Sequence, residues 1–305
     1  MSSATKVAVP LVALAAGLTA AGFVFPPVKL FALAVAGRSP VCPMQNALQA
    51  AENLKLQIKY KDQILNSSKL IEKDPKGYHL WQTPRGRWWI PEGDDFVLPF
   101  NLAEQERKIY GTGEQDVQKG SVVLDCGANI GVFTRVALDR GARLVVAIEP
   151  APENIESLKR NFPAEIAAGK VIVYEKGVWD KDDTLLLKRD PNNTAADSFV
   201  MLKDGSKGVN VPLTTIDKLV AELKLDSVDY IKMDIEGAEQ RALTGGMGTI
   251  GKFHPRLSLS AYHMPDDPVK IPQIVKKAWP GYSMECGPCA ETEDHRIRPD
   301  VLYFR

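Results

Sequence analysis

Five side chains combine useful chemistry with regular placement: Asp125, Glu149, Asp234, Glu236 and His263. Four of them lie in or directly follow an apolar run, and Glu236 comes two residues after Asp234. Asp125 lies in Val122-Val123-Leu124-Asp125-Cys126, Glu149 follows Val145-Val146-Ala147-Ile148, Asp234 follows Ile231-Lys232-Met233, and His263 ends Leu257–Tyr262. A carboxylate in such a place can attract a cation, bind hydroxyls or accept a proton. An imidazole, with an unperturbed pKa near ~6.5, is easily poised for proton transfer.

The turn after Asp125 carries Gly127, Asn129 and Gly131 in the spacing D-x-G-x-x-x-G. Glycines in such a turn let backbone approach a ligand without a Cβ in the way. A dinucleotide fingerprint would read G-x-G-x-x-G, with pyrophosphate over the helix N-terminus. Here an acid stands where its first glycine would fall, and a carboxylate repels pyrophosphate and attracts a cation. Glu149, at the end of the next run, can take two hydroxyls of a ribose. Together the two acids suit a cationic nucleoside without phosphate, such as S-adenosylmethionine. Either acid alone could simply cap a strand-to-helix turn. Their joint placement at the carboxyl ends of consecutive strands, where open α/β sheets bind ligands, favours the cofactor reading.

The elements that must position these residues follow from apolar runs alternating with helical patterns beyond Gly120, the signature of an α/β fold with a mostly parallel sheet. Strands are expected at Ser121–Cys126, Arg143–Glu149, Lys170–Glu175, Val228–Asp234 and Arg256–Tyr262. Helices are expected at Val132–Arg140, Pro152–Asn161, Thr215–Leu223, Ala238–Leu243 and Pro268–Trp279. Thr184–Lys188 and Asp197–Leu202 read as extra strands of an insertion. Tyr282–Cys286 with Val301–Phe304 reads as a closing hairpin that puts an antiparallel strand on the sheet edge.

Asp125 to Gly131, Ala147-Ile148-Glu149-Pro150 with Asn154, Leu158 and Asn161, and Ile231-Lys232-Met233-Asp234-Ile235-Glu236-Gly237-Ala238-Glu239 resemble the FkbM family of S-adenosylmethionine-dependent methyltransferases. The resemblance covers roughly Glu104 to Phe304, and the Lys-Met-Asp-Ile-Glu-Gly-Ala-Glu string is its most specific part. It implies a Rossmann-like class I methyltransferase fold with a seven-stranded, mostly parallel sheet. The implied activity is methyl transfer to a hydroxyl of a sugar, glycan or natural-product acceptor. By position, Asp125, Gly127, Asn129 and Gly131 would border the methionine part of the cofactor, and Glu149 would bind its ribose. The catalytic candidates are Asp234, Glu236 and His263. No ligand cluster accompanies Asp234 in the sequence, so no metal is expected. The competing reading is a catalytically inactive nucleoside-binding or scaffold protein with the same fold.

The 305 residues divide into three expected parts: 1–43, a hydrophobic membrane anchor; 44–116, a helical stalk and β-rich extension; and 117–305, the catalytic domain. Val7–Val28 carries no charge and is long enough to span a bilayer, with Pro26-Pro27 expected to end or kink its helix near Phe25. A cleaved signal and a buried helix compete with the retained anchor, which is the reading adopted. Lys29, Arg38, Lys55, Lys59 and Lys61 on the far side favour a cytoplasmic catalytic part. Met44–Lys73 reads as the helical stalk, and Tyr78–Phe100 as hairpin material in which Trp88-Trp89 serves packing.

Thirty-eight basic residues balance 38 acidic ones, which argues against a general nucleic-acid binder. The sum conceals a basic, acid-free amino end and a mildly acidic remainder. Cys286-Gly287-Pro288-Cys289 matches a C-x-x-C redox motif but sits between two terminal strands, where a hairpin turn is the simpler reading. Cys286, Cys289 and His295 lack a fourth zinc ligand. The glycosylation sequons at Asn66 and Asn192 mean nothing in a cytoplasmic protein.

Overall fold

A computed structural model describes residues 25–188, 193–201 and 208–305. Most of the expected anchor, and the sequon at Asn192, lie outside the described residues. Among the described residues no helix is long and apolar enough to cross a membrane.

In chain order the described helices are α1 (Pro26–Val35), α2 (Met44–Leu48), α3 (Ala50–Asn66), α4 (Val97–Glu106), α5 (Val132–Asp139), α6 (Pro152–Asn161), α7 (Pro163–Ala167), α8 (Ile216–Glu222), α9 (Glu239–Thr244), α10 (Met247–Phe253) and α11 (Asp267–Ala278). A first sheet comprises β1 (Lys69–Asp74), β2 (Tyr78–Thr83) and β3 (Gly86–Pro91). The central strands are β4 (Val122–Cys126), β5 (Leu144–Ile148) and β6 (Val171–Tyr174). An insertion adds β7 (Gly177–Val178), β8 (Asp183–Lys188) and β9 (Gly208–Thr214). The chain then continues through β10 (Tyr230–Met233), β11 (Arg256–Ser260), β12 (Met284–Cys286), β13 (Cys289–Glu291), β14 (Ile297–Pro299) and β15 (Val301–Phe304).

The central sheet has seven strands in the order β12-β15-β11-β10-β4-β5-β6. Strands β6, β5, β4, β10 and β11 run parallel, and β15 is antiparallel to both of its neighbours. The antiparallel strand is thus next to the edge rather than on it, because β12 covers it. Every residue of β4 is buried, as the continuous run Val122–Cys126 requires of a strand covered on both faces. The order reverses between β4, which continues to β5, and β10, so the carboxyl ends of these strands flank a switch point.

Helix α6 shows why local sequence suffices for the elements beside that point. Pro152 opens it, Glu153 lies in its first turn, and Lys159 and Arg160 lie in its last, all favourable to the helix dipole. Asn161 at its end bonds in three directions: its Oδ1 accepts from Trp89 N at 2.7 Å, and its Nδ2 donates to the carbonyls of Trp89 and Ile130 at 3.0 and 2.9 Å. One side chain therefore ties β3 and the turn after β4 to the same helix. Trp88 is buried against Phe162, and the Arg160 guanidinium lies over the Trp89 ring, so both indoles serve packing.

Several expectations change. The helical stalk ends at Asn66, and Lys69–Asp74 is strand β1, not helix. Helix α3 does not stand off: the Gln57 amide donates to the Phe100 carbonyl of α4 at 3.0 Å, and Ile64 joins the core around Trp88 and Leu98. Pro26 and Pro27 begin a helix in which Leu30 is buried with Ala47 and Ile297, and Lys29 pairs with Glu291 at 2.5 Å. The end of the apolar amino-terminal run thus packs on the carboxyl-terminal hairpin. Of the strand expected at 197–202, residue 202 lies outside the described residues and 197–201 form none; Ser198 makes an isolated bridge to Lys188, and β8 pairs with Gly208–Thr214. Finally, Cys289 is joined to Cys42 by a disulfide, while Cys286 and Cys126 are free.

Candidate active site

The turn after β4 is built by backbone. Gly127 N and Ala128 N donate to Ile148 O at 3.0 and 3.1 Å, and Asp234 N donates to Cys126 O at 3.1 Å, so the ends of β4, β5 and β10 are laced together. Gly127 has φ +76°, and a Cβ there would lie 1.8 Å from the Asp234 carbonyl oxygen. A Cβ on Gly131 would meet the Phe162 ring at 2.2 Å. These glycines permit close approach of protein to protein, a different role from the ligand approach that the sequence suggests. Gly131 and Asp125 border neither cavity described below.

Asp125 is fully buried. Its Oδ2 accepts from Thr134 Oγ1 at 2.7 Å, and its Oδ1 lies 3.4 Å from Lys232 Nζ. Burial raises its pKa, an effect opposed by the Lys232 charge and the Thr134 hydrogen bond. Lys232 also donates to the Gly127 carbonyl at 2.8 Å. Asp125 thus acts on the turn through Lys232 rather than by touching a ligand.

Two adjoining cavities, of about 270 and 60 Å³, open at the switch point and share Gly127, Asn129, Asp234 and Glu236 in their walls. Glu149 and Asn154 border the smaller one. Glu149 accepts from Asn129 N at 2.8 Å and Ala151 N at 2.9 Å, yet burial still pushes its carboxyl up to about 7. Asn129 stands in the left-handed region at φ +50°, a conformation that Asn tolerates. Its buried Nδ2 has no hydrogen-bond partner. An orphaned donor on a residue that borders both cavities is a place for an acceptor oxygen of a ligand, since leaving it unpaired costs about 1–3 kcal/mol.

The larger cavity draws its second wall from the amino-terminal extension: Phe96, Phe100 and Glu104 of or beside α4, and Tyr110 after it. Asp95 Oδ1 pins the turn before α4, accepting from Trp81 Nε1 at 2.6 Å and lying 3.0 Å from His79 Nδ1. Burial pushes the Glu104 carboxyl up to about 8, with the Asp234 charge adding to the rise. None of these residues carries a local sequence signal of its role.

Asp234, Glu236 and His263, named separately from the sequence, converge. His263 is buried, with Nδ1 2.9 Å from Glu239 Oε1; its Nε2 faces Glu236 Oε1 at 3.4 Å and Asp234 Oδ1 at 3.6 Å. It borders neither cavity, so it stands behind the two carboxylates that do. Burial draws the imidazole pKa down, but the surrounding Glu236, Glu239 and Asp234 outweigh it and push it up to about 11. Burial likewise raises Asp234, and Lys232, His263 and the Tyr110 hydroxyl more than reverse that, leaving it below the usual range. Glu236 is raised, chiefly by burial. It also holds φ +53°, a strained conformation for a residue other than glycine, with its carbonyl fixed by Ser198 Oγ at 2.6 Å.

The family model described as the methyltransferase FkbM domain matches residues 125–282, the stretch that carries the turn, the smaller cavity and the carboxylate cluster. The chain belongs to the methyltransferase FkbM domain family. Its seven-stranded, mostly parallel sheet is the Rossmann-like class I methyltransferase fold. Among curated relatives, 31-O-demethyl-FK506 methyltransferase FkbM of Streptomyces tacrolimicus is 28% identical over 158 residues, covering 43% of this chain and 61% of that one. Ribosomal protein L11 methyltransferase of Burkholderia multivorans is 28% identical over 140 residues, covering 41% and 45%. The matches thus span 61% or less of the relatives' own lengths. Among solved structures, methyltransferase FkbM from Methylobacillus flagellatus superposes with a TM-score of 0.47 at 18% identity, covering 84% of this chain and 60% of that one.

Proposed function

We propose that this FkbM-family protein transfers a methyl group from S-adenosylmethionine to a hydroxyl of a sugar, glycan or natural-product acceptor. The observation that carries the reading is the pairing of Asn129 and Glu149 in one cavity with Asp234 and Glu236 between that cavity and the next. The residues fit a cationic nucleoside. The orphaned Asn129 Nδ2 can meet its carboxylate, Glu149 retains lone pairs for ribose hydroxyls, and Asp234 and Glu236 place negative charge where a sulfonium would lie. When bound, the cofactor supplies an electrophilic methyl group.

The chain's own residues then have separate tasks. Alignment of the acceptor oxygen is the main requirement of such a displacement. The walls from α4, with Phe96 and Phe100, and from Tyr262 frame the acceptor side of the larger cavity. Asp234, held ionised between Lys232 and the Tyr110 hydroxyl, fixes the electrostatics. Glu236, with its raised pKa and its place in both cavities, is the better group to take the hydroxyl proton. His263, carrying its proton and set behind them, orients the carboxylates instead of acting as the base. The acidic groups Glu104, Asp234 and Glu236 in the wall of the larger cavity disfavour a phosphodiester chain, which supports a hydroxyl-bearing small molecule or glycan over nucleic acid.

The test is calorimetric titration of the purified chain with S-adenosylmethionine, followed by incubation of methyl-labelled cofactor with sugar, glycan and natural-product pools. Cofactor binding with labelled product supports transfer. Binding without product from any pool favours the inactive nucleoside-binding protein, and no binding removes the cofactor reading.

A further inference from the structure

We propose that Asp234, Glu236 and His263 form a binding site for one divalent cation of the manganese or zinc type. One potential ligand atom from each residue lies within 4.8 Å of the other two, and His263 Nε2 stands 3.6 Å from Asp234 Oδ1 and 3.4 Å from Glu236 Oε1. Two carboxylate oxygens and one imidazole nitrogen make a donor set that suits such ions. The carboxylates come from the turn after β10 and the imidazole from the end of β11, neighbouring parallel strands, so the sheet itself fixes their spacing.

The imidazole is arranged as a ligand. Its side chain is 2% exposed, its Nε2 has no hydrogen-bond partner, and that nitrogen points at the two carboxylates. Behind it, Glu239 Oε1 receives Nδ1 at 2.9 Å and is itself fixed by Ile235 N at 2.9 Å. A buried carboxylate on Nδ1 holds a proton there, and a cation would displace the other proton from Nε2 to take up its lone pair, the outer arrangement typical of metal-bound histidines. Asp234 is steadied in the same way: Tyr110 donates to its other oxygen, Oδ2, at 2.7 Å. Asp125, Asp234, Glu236 and Glu239 outnumber the neighbouring cations Lys232 and His263, so a dication reduces a surplus of buried negative charge.

Asp234 and Glu236 border the larger cavity, so the open positions of the cation would face the acceptor. There it would hold the acceptor oxygen and lower its pKa. That consequence rests on the methyl-transfer reading; the binding site itself does not.

The test is titration of the full metal-stripped chain with Mn²⁺, followed by electron paramagnetic resonance of free ion and by calorimetry, with Zn²⁺ as competitor. One Mn²⁺ per chain is expected, displaced by Zn²⁺, with affinity lowered at least about tenfold in Glu236→Gln and in His263→Gln. Glu149→Gln, whose change lies in the smaller cavity, should bind as the parent does. Circular dichroism shows that each variant is folded, and Glu236, with its side chain 21% exposed, gives a usable variant should His263→Gln fail to fold. Absence of saturable binding up to about 1 mM of either ion overturns the site, as does unchanged affinity in Glu236→Gln. Cofactor binding is measured on the same samples. Cofactor affinity without metal binding rejects only the cation site, and metal binding without cofactor affinity rejects only the methyl-transfer reading.

Discussion

The Tyr110 hydroxyl donates a 2.7 Å hydrogen bond to Oδ2 of Asp234, joining the amino-terminal extension to the end of β10 across 124 positions of sequence. The Tyr110 ring also lies against Phe133, and its carbonyl accepts from Ser258 Oγ at 2.9 Å and from the Tyr230 hydroxyl. The ring is therefore held independently of its hydroxyl. Tyr110→Phe should keep the fold and lose one hydrogen bond to a charged acceptor, worth about 1.5–3 kcal/mol. Steady-state kinetics with saturating cofactor should show kcat/KM for the acceptor reduced about tenfold or more, with cofactor affinity unchanged. Unaltered kinetics would remove Asp234 from the machinery.

Glu149 gives a pH dependence with a defined sign. Burial places its folded pKa at about 7, above the ordinary 4.5. Its contribution to stability is therefore full below the ordinary value and lost as pH rises through about 7. Cofactor binding runs the other way, because the ionised carboxylate is the better partner for ribose hydroxyls and a cation. Affinity measured calorimetrically should rise from pH 6 to 8, by at most about tenfold per unit. Glu149→Gln should bind more weakly and lose that rise.

Asp125 separates a structural role from a binding role. Removing one member of the buried Asp125–Lys232 pair strands a charge, at a cost of about 3–5 kcal/mol. Asp125→Ala should thus shift the urea midpoint far more than Glu149→Gln does. Near-parental stability together with lost cofactor binding would return Asp125 to the ligand-contacting role implied by its motif.

Cys42 and Cys289 should be found bonded, leaving Cys126 and Cys286 as thiols. Alkylation of freshly extracted protein unfolded without reductant should label two cysteines, and four after reduction. Disulfides persist in oxidising compartments, so this result would oppose a cytoplasmic position for the catalytic part, and four free thiols would restore it. Closing so long a loop stabilises by up to about 5 kcal/mol in the chain-entropy account. Cys42→Ser should accordingly lower the melting temperature.

The parallel strands and the acids at their ends were legible because a strand buried on both faces must be an uninterrupted apolar run, and its end is where polarity returns. Glu149, Asp234 and Glu236 were found by that rule, and all three border a cavity. Glu104 and Tyr110 were not, since their partners lie in distant strands and nothing beside them in sequence records the meeting. The same holds for the bond from Cys42 to Cys289, whose local C-x-x-C spacing points to the wrong neighbour. Asp125 and His263 lie at the expected strand ends, but whether such a side chain faces a ligand or its own protein depends on Lys232 and Glu239, which only the assembled sheet brings near. Asp234 lacked companion ligands for the same reason: Glu236 is close in sequence, whereas His263 arrives from the next strand.

The Cys42–Cys289 bond also has a mechanical meaning. Tension applied to the residues ahead of Cys42 passes through the sulfur bridge into β13, which pairs with β14 close to the carboxyl terminus. Everything between residues 43 and 288 lies outside that load path. The strand ends bearing Glu149 and Asp234 are thereby bypassed by tension between the amino and carboxyl ends, and a single protease cut between the two cysteines would leave both fragments covalently joined.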